Sequence, residues 1–151
     1  MSLPKWTSAQ QKDIDKAERE LNTFPVVKDN GRVRVPFPYL DREGYKGGFT
    51  DEEINEAVKH DFTRREVSLA SLHAIQHSVQ PRYVRYYLEK DEWKKKLPDP
   101  IVVERGGTRY IYDGHHRLTA FKLLGARTAE VNYVDLDAVF AAKKADSKKS
   151  A

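Results

Sequence analysis

Hydrophobic residues in the N-terminal part of the chain follow patterns typical of helices and of a hairpin. A stripe at helical spacing runs over residues 14–21, and a second one follows Thr50 and Glu53, which form the pattern of a capping box. Between the stripes, valines flank Asn30-Gly31, a pair typical of a tight hairpin turn. These patterns predict two helices with a hairpin between them, and the Pro- and Gly-rich residues 36–49 predict a loop.

After residue 60, the spacing of the apolar residues alternates between strand and helix periods. Ile101–Arg105 and Thr108–Tyr112 alternate like strands, and the two glycines between them suit a tight hairpin turn. The next segment predicts a helix that begins at Gly114 and ends at Gly125, followed by a closing strand over 129–133. This order favours a small sheet with a helix packed on it.

The segment before that hairpin predicts the first half of the same unit. Val67 and Leu69 alternate as in an opening strand, and the apolar spacing over 72–79 predicts a short helix or turn. Pro81 suits the first position of a further helix. Together these elements predict an α+β fold, with a small mixed sheet and helices.

These patterns divide the chain into three parts. Residues 1–60 hold too little apolar material for an independent domain, so we expect an extension that wraps the core or a protein partner. Residues 61–136 carry the predicted α+β core. Residues 137–151 end in a Lys-, Ser- and Ala-rich segment, which is typical of a basic, disordered tail.

Composition and charge limit the classes of function. The chain has 151 residues, of which 39% are hydrophobic and 33% charged, and a net charge of +4. Residues 143–151 contribute +3 of that charge, so the body lacks the global basic excess that would by itself indicate nucleic-acid binding. The absence of cysteine excludes disulfides, thiolate metal sites and thiol catalysis. Because the sequence has neither a membrane-spanning apolar run nor a signal-peptide pattern, we expect a soluble, cytoplasmic protein with no membrane partner.

The string Tyr110–Leu118 carries the candidate chemistry, because it places polar residues where a strand is predicted to become a helix. A helix N-terminus presents unpaired backbone N–H groups and the positive end of the helix dipole, which together attract anions. Gly114 lets a ligand approach the backbone, and Arg117 adds planar donors that suit phosphate or carboxylate. This arrangement predicts an anion-binding site over Asp113–Arg117.

Three side chains of this string have more than one role open to them. Asp113 either caps the helix, holds a divalent cation or takes part in catalysis; as a cap it would repel a phosphate bound to the same N–H groups. His115 and His116 are adjacent, so their side chains diverge by about 100° on a helix. We expect one of them to face the ligand while the other braces the loop through a backbone hydrogen bond. Asp113 and His116 are the candidate catalytic residues.

The run from Pro100 through Asp113-Gly114-His115-His116-Arg117 to Leu124-Gly125 resembles the ParB/sulfiredoxin superfamily, including its ParB-like nuclease-type domains. The resemblance covers residues 64–136 and implies that both histidines lie in a loop that binds nucleotide phosphates. It also implies a ligand contact for Gln76, since related sequences often have Gln after the first strand. The superfamily includes DNA-partition proteins, a free-serine kinase, nucleases and sulfiredoxins, and the lack of cysteine excludes the last activity.

From the residues and the resemblance together, we expect a phosphate-bearing ligand, a nucleotide or a nucleic acid, to bind at Asp113–Arg117. A nucleotide ligand would be ATP, ADP or CTP with Mg²⁺. Any reaction would be phosphoryl transfer or phosphodiester hydrolysis, as in a nuclease, an ATPase or a nucleotide-dependent phosphotransferase. Two alternatives stay open: a non-catalytic DNA-binding module, and a protein-interaction module that docks through residues 1–60.

Overall fold

The computed structural model of the protein describes residues 8–27, 30–41, 43–89 and 99–149. The α-helices in these ranges are α1 (Ser8–Leu21), α2 (Glu43–Lys46), α3 (Asp51–His60), α4 (Pro81–Glu89), α5 (His115–Leu123) and α6 (Leu136–Lys149), and a short 3-10 helix spans Leu69–Ser71. The strands are β1 (Val33–Arg34), β2 (Thr63–Ser68), β3 (Leu72–Ala74), β4 (Ser78–Val79), β5 (Ile101–Arg105), β6 (Thr108–Asp113) and β7 (Thr128–Asp135). The predicted α+β fold is confirmed.

Five strands form a mixed sheet in the order β2-β7-β5-β6-β3. β5 and β6 make the predicted antiparallel hairpin, in which Ile101 lies opposite Asp113. β7 runs parallel to β5 and antiparallel to β2, while β3 adds a parallel edge strand beside β6. A separate two-stranded sheet pairs β1 with β4, and Val33 lies opposite Val79 in it.

Successive residues of the central strands face opposite sides of the sheet, and a hydrophobic cluster forms on each side. Val102 and Ile111 lie in the first cluster, together with the apolar faces of α1, α4 and α5. Val103 and Tyr110 lie in the second cluster, together with α2, α3 and α6. Truncation of a fully buried residue such as Leu118 to alanine would cost about 2–5 kcal/mol of stability.

The N-terminal extension is part of this packing. The predicted stripe of α1 is buried in the first cluster through Ile14, Ala17 and Leu21. α3 begins with the predicted capping box, in which the side chains of Thr50 and Glu53 each accept a backbone N–H from the other residue. Because α3 packs in the second cluster, the extension contributes to the cores on both faces of the sheet.

The prediction of a short helix or turn over residues 72–79 is wrong. Leu72–Ala74 form an edge strand that pairs with Arg109–Ile111, and Ser78–Val79 form a strand of the small sheet. Leu72 and Ala74 are both fully buried. Apolar residues in so short a run fit the helix period and the strand period equally well, so the pairing with β6 decides the structure.

The C-terminal segment also differs from the disordered tail that the sequence predicts, because β7 continues directly into α6. Asp135 accepts the backbone N–H of Ala138 and so caps the first turn. Leu136 is fully buried, and the ring of Phe140 stacks on Phe49 with centroids 3.6 Å apart. These two apolar anchors, one helical turn apart, hold the helix on the core in spite of its polar composition. Neither α6 nor any other helix in the described ranges is long and apolar enough to cross a membrane.

Candidate functional site

A cavity of about 430 Å³ opens where β6 ends and α5 begins. The residues that line it are Gln76, Tyr87, Asp99, Pro100, Asp113, Gly114, His115, His116 and Arg117. The structure therefore brings all the predicted site residues to one cavity. It adds Tyr87, Asp99 and Pro100, which lie outside the predicted string. From the sequence alone, Tyr87 is a candidate only for base stacking or helix packing, and Asp99 and Pro100 reach the cavity through the segment before β5.

Gly114 is required at the β6–α5 junction for two structural reasons. Its φ angle of 101° lies in the left-handed region that L-residues rarely adopt. A Cβ atom at this position would lie 2.8 Å from Cβ of Pro100, which is closer than van der Waals contact allows. Pro100 therefore packs closely against this glycine, and the approach of a ligand to the Gly114 backbone stays a prediction.

Asp113 is the last residue of β6 and does not cap the helix. The N-cap position belongs to Gly114, which provides no side-chain capping bond. The first helical bond runs from the N–H of Leu118 to the Gly114 carbonyl, at 2.9 Å. The capping role that the sequence left open for Asp113 is therefore wrong, and its carboxylate is exposed at the edge of the cavity.

His115 is buried, and its ring braces a neighbouring segment of backbone. Its Nε2 accepts the backbone N–H of Ile75 at 3.1 Å. The pKa of His115 is lowered to about 4, mainly by burial and to a smaller extent by the neighbouring His116. The ring is therefore neutral at ordinary pH, and because Nε2 accepts a hydrogen bond, the proton must lie on Nδ1.

His116 makes the same kind of bond one residue further on. Its Nε2 accepts the backbone N–H of Gln80 at 3.0 Å, and the ring meets Tyr83 edge-on, with centroids 5.3 Å apart. Burial lowers the pKa of His116, as does the positive charge of Arg32, while Asp113 acts in the opposite direction. His116 is therefore also held as the neutral ring with its proton on Nδ1.

Both histidines brace backbone, whereas the sequence predicted that only one would. A neutral imidazole has a single unprotonated nitrogen. In each ring that nitrogen is Nε2, and it is already engaged by a backbone N–H. Neither ring therefore offers a free lone pair to a substrate proton or a metal ion, and this geometry gives no support to the catalytic role predicted for His116.

Gln76 lies in the connection between β3 and β4, not on the short helix that the sequence predicts. Its Nε2 donates to the carbonyl oxygen of Ser78 at 2.8 Å. The same carbonyl accepts from Nη2 of Arg32 at 2.8 Å, and Nε of Arg32 donates to the Ser78 hydroxyl at 2.7 Å. Sequence reasoning missed Arg32, and no local pattern could have found it, since 46 positions separate it from Ser78.

Arg117 supplies the positive charge of the cavity. Burial lowers its pKa, while Asp99 and Tyr87 raise it. The guanidinium nevertheless stays charged, as arginine does at any ordinary pH. Asp99 also forms an ion pair with Arg64 at 3.0 Å. The wall of the cavity thus combines one guanidinium with the carboxylates of Asp99 and Asp113.

The chain shows no preformed metal centre within the described ranges. No group of three or more His, Asp or Glu side chains there is arranged to hold a metal ion. Mg²⁺ commonly binds through one or two carboxylates together with the phosphates of a nucleotide. Asp113 suits this mode of binding, in which the Mg²⁺ ion enters the site together with the nucleotide.

Comparison with known proteins gives a partial similarity to a regulator. The chain is 39% identical over 90 residues to the transcriptional regulator NovG from Streptomyces niveus. The match covers 56% of this chain and 27% of the regulator, so this chain spans about a quarter of that protein's length. No protein-family model matches the chain, and no solved structure matches it significantly. The ParB/sulfiredoxin resemblance therefore stays a prediction from the motif.

Proposed function

We propose that this protein binds a phosphate-bearing ligand in the cavity at Asp113–Arg117, and that the ligand is a nucleotide such as ATP, ADP or CTP. The proposal depends on the start of α5, which has no side-chain cap and opens on a cavity lined by Arg117. Backbone N–H groups of a first helical turn and a guanidinium are a combination that suits phosphate. The cavity volume of about 430 Å³ is within the range of small-molecule sites.

The geometry favours binding over catalysis. Phosphoryl transfer or phosphodiester hydrolysis uses a group that activates the attacking hydroxyl or water. The unprotonated nitrogens of His115 and His116 are both bonded to backbone, so Asp113 is the one predicted catalytic residue with an exposed base. We therefore propose that this protein binds its ligand without catalysing a reaction.

Mg²⁺ belongs to this proposal as a companion of the nucleotide. Asp99 and Asp113 line the cavity and would repel an unaccompanied triphosphate. A divalent ion between the phosphates and Asp113 turns that repulsion into attraction. Nucleotide affinity should therefore depend on Mg²⁺ through Asp113.

DNA binding is a second candidate, favoured by the similarity to a transcriptional regulator. In this case the start of α5 and Arg117 would contact a DNA phosphate. The neighbouring helix α4 exposes Tyr83 and Tyr86, and the guanidinium of Arg82 lies 4.8 Å from the centre of the Tyr83 ring. Exposed aromatic rings beside arginine suit stacking on bases and contact with phosphates.

Thermal unfolding of the full chain with ATP, ADP and CTP, each with and without Mg²⁺, tests the nucleotide proposal. A ligand at 100 times its Kd adds about 2.7 kcal/mol of stability, which raises the Tm by several degrees in a protein of this size. Arg117→Ala should lose the shift. Arg127→Ala, a change of an exposed arginine outside the cavity, should keep it.

The same variants separate the two candidate functions. Fluorescence anisotropy with short single- and double-stranded DNA should show no Arg117-dependent binding if the ligand is a nucleotide. DNA binding that depends on Arg117, without any nucleotide shift, would favour the second candidate. If the protein binds neither nucleotide nor DNA, both candidate functions are rejected. Mg²⁺-dependent turnover of ATP or nicking of a supercoiled plasmid would restore a catalytic role.

A further inference from the structure

The connection between β3 and α4, residues 75–80, is held in place by side chains from distant parts of the chain. We call this segment the strap. It contains β4 and Gln76, which lines the cavity. Side chains of α5 and of the turn before β1 form hydrogen bonds with it.

On the α5 side, the two histidines fix the two ends of the strap. The N–H of Ile75 donates to His115, and the N–H of Gln80 donates to His116, at 3.1 and 3.0 Å. Both bonds need an unprotonated Nε2. The strap is thereby tied to the same helical turn that would hold the ligand.

Arg32, in the turn before β1, fixes the middle of the strap. Its guanidinium donates to both oxygens of Ser78, at 2.7 and 2.8 Å, and Ser78 is only 5% exposed. The Ser78 carbonyl is also the acceptor for the side chain of Gln76. Arg32 therefore holds the Ser78 carbonyl oxygen, which in turn orients the side chain of the cavity-lining residue Gln76.

The surroundings of Arg32 keep it in this orientation. The backbone N–H of Arg32 donates to Oδ1 of Asn30 at 3.2 Å, which tightens the turn before β1. β1 then pairs with β4, and the N–H of Val35 donates to the carbonyl of His77 at 3.0 Å. The charge of Arg32 also lowers the pKa of His116, which favours the unprotonated Nε2 that Gln80 requires.

We propose that Arg32 is a positioning residue of the ligand site, acting through Ser78 on Gln76, and that the N-terminal extension is thereby a structural part of that site. This inference rests on the proposed function, because Gln76 matters only if the cavity holds a ligand. Arg32 itself does not line the cavity. Truncation of Arg32 leaves every cavity-lining side chain chemically unchanged. It removes the hydrogen bonds to Ser78 that orient Gln76.

Amide hydrogen exchange in the full, ¹⁵N-labelled chain tests the positioning role without a ligand. In Arg32→Ala, the amides of Ile75 and Gln80 should exchange about ten times faster, a change of the size expected when hydrogen bonds from a charged donor are lost. Arg32→Lys should recover part of the protection, since an ammonium can reach one of the two oxygens. Arg34→Ala, a change of an exposed arginine two residues away, should match the wild type. Equal exchange in Arg32→Ala and the wild type would overturn the inference.

Titration with ATP and Mg²⁺ then tests the consequence for binding. Arg32→Ala should weaken binding about tenfold and Arg32→Lys less, while Arg34→Ala should not weaken it. Wild-type affinity in Arg32→Ala would overturn the inference although the site binds nucleotide. If the wild type binds no ATP, ADP or CTP, the proposed function fails, and the exchange rates alone decide whether Arg32 positions the strap.

Discussion

Pro100 occupies the space that a side chain at position 114 would need. A Cβ atom on Gly114 would lie 2.8 Å from Cβ of Pro100 and 3.1 Å from its Cα. The φ angle of Gly114, 101°, independently disfavours any L-residue. The β6–α5 junction therefore depends on glycine for its backbone conformation and for its contact with the segment before β5.

Gly114→Ala should cost about 2–4 kcal/mol of stability, roughly 1 from the left-handed backbone and the rest from the contact with Pro100. Gly48→Ala is the matched control, since Gly48 has a φ angle of 92° and no atom within 4 Å of the added Cβ. It should lose only the backbone part, about 1 kcal/mol. Urea unfolding measures both, and equal losses would show that Pro100 yields without cost.

Local rules of sequence predicted the parts of this fold that depend on neighbouring residues. The two glycines after β5, the capping box at Thr50 and the junction at Asp113–Arg117 all follow from the conformations that a few adjacent residues favour. The candidate site could be predicted for the same reason, because most of its residues lie in the five-residue string Asp113–Arg117. What could not be predicted is which other segments meet that string.

Contacts between distant segments have no local signal. His115 meets Ile75 across 40 positions, and Arg32 meets Ser78 across 46. These contacts depend on how β3 and β4 pair, and the short apolar run over 72–79 fits a strand or a helix equally well. The sequence therefore could not predict that both histidines accept backbone N–H groups of the strap, since this depends on the packing of the strap against α5.

Acid should destabilise the protein through His115. Its folded pKa of about 4 lies below the ordinary value of about 6.5, so the unfolded chain takes up the proton first as the pH falls. The contribution to stability is complete above about pH 6.5 and declines toward pH 4, by about 3 kcal/mol in total. Burial also lowers the pKa of His116, so its contribution has the same sign.

Unfolding by urea at intervals between pH 7 and pH 4 checks this dependence. In His115→Gln the amide oxygen can still accept the N–H of Ile75 but does not titrate, so the loss of stability over this range should be smaller than in the wild type. His60→Gln, at an exposed position on α3, is the control for the loss of one histidine. An unchanged pH dependence in His115→Gln would contradict the buried, neutral ring.

Phe140→Ala should destabilise the protein by about 2–4 kcal/mol, because the ring is 6% exposed and stacks on Phe49. A disordered tail would make the same substitution silent. Lys144→Ala, on an exposed position of the same helix, should change stability by less than about 0.5 kcal/mol. Thermal and urea unfolding of the two variants thus tests whether α6 belongs to the core.

Asp113→Asn and Asp113→Ala should both leave stability within about 0.5 kcal/mol of the wild type, because Asp113 is exposed and does not cap α5. A true N-cap would behave differently, since asparagine would preserve stability and alanine would cost about 1 kcal/mol. Urea unfolding of the two variants distinguishes these cases.

Nucleotide titration of the same two variants tests whether Asp113 contacts Mg²⁺. Both should lose the Mg²⁺-dependent part of the affinity for ATP, since neither carries the carboxylate that the ion needs. Their affinity for ATP without Mg²⁺ should hold or improve, because a charge that repels the phosphates has been removed. Glu52→Gln, which removes an exposed carboxylate outside the cavity, should alter neither affinity. If the gain in affinity with Mg²⁺ persists in both Asp113 variants, the ion is not bound at this residue, and Asp99 is the other carboxylate of the cavity that can hold it.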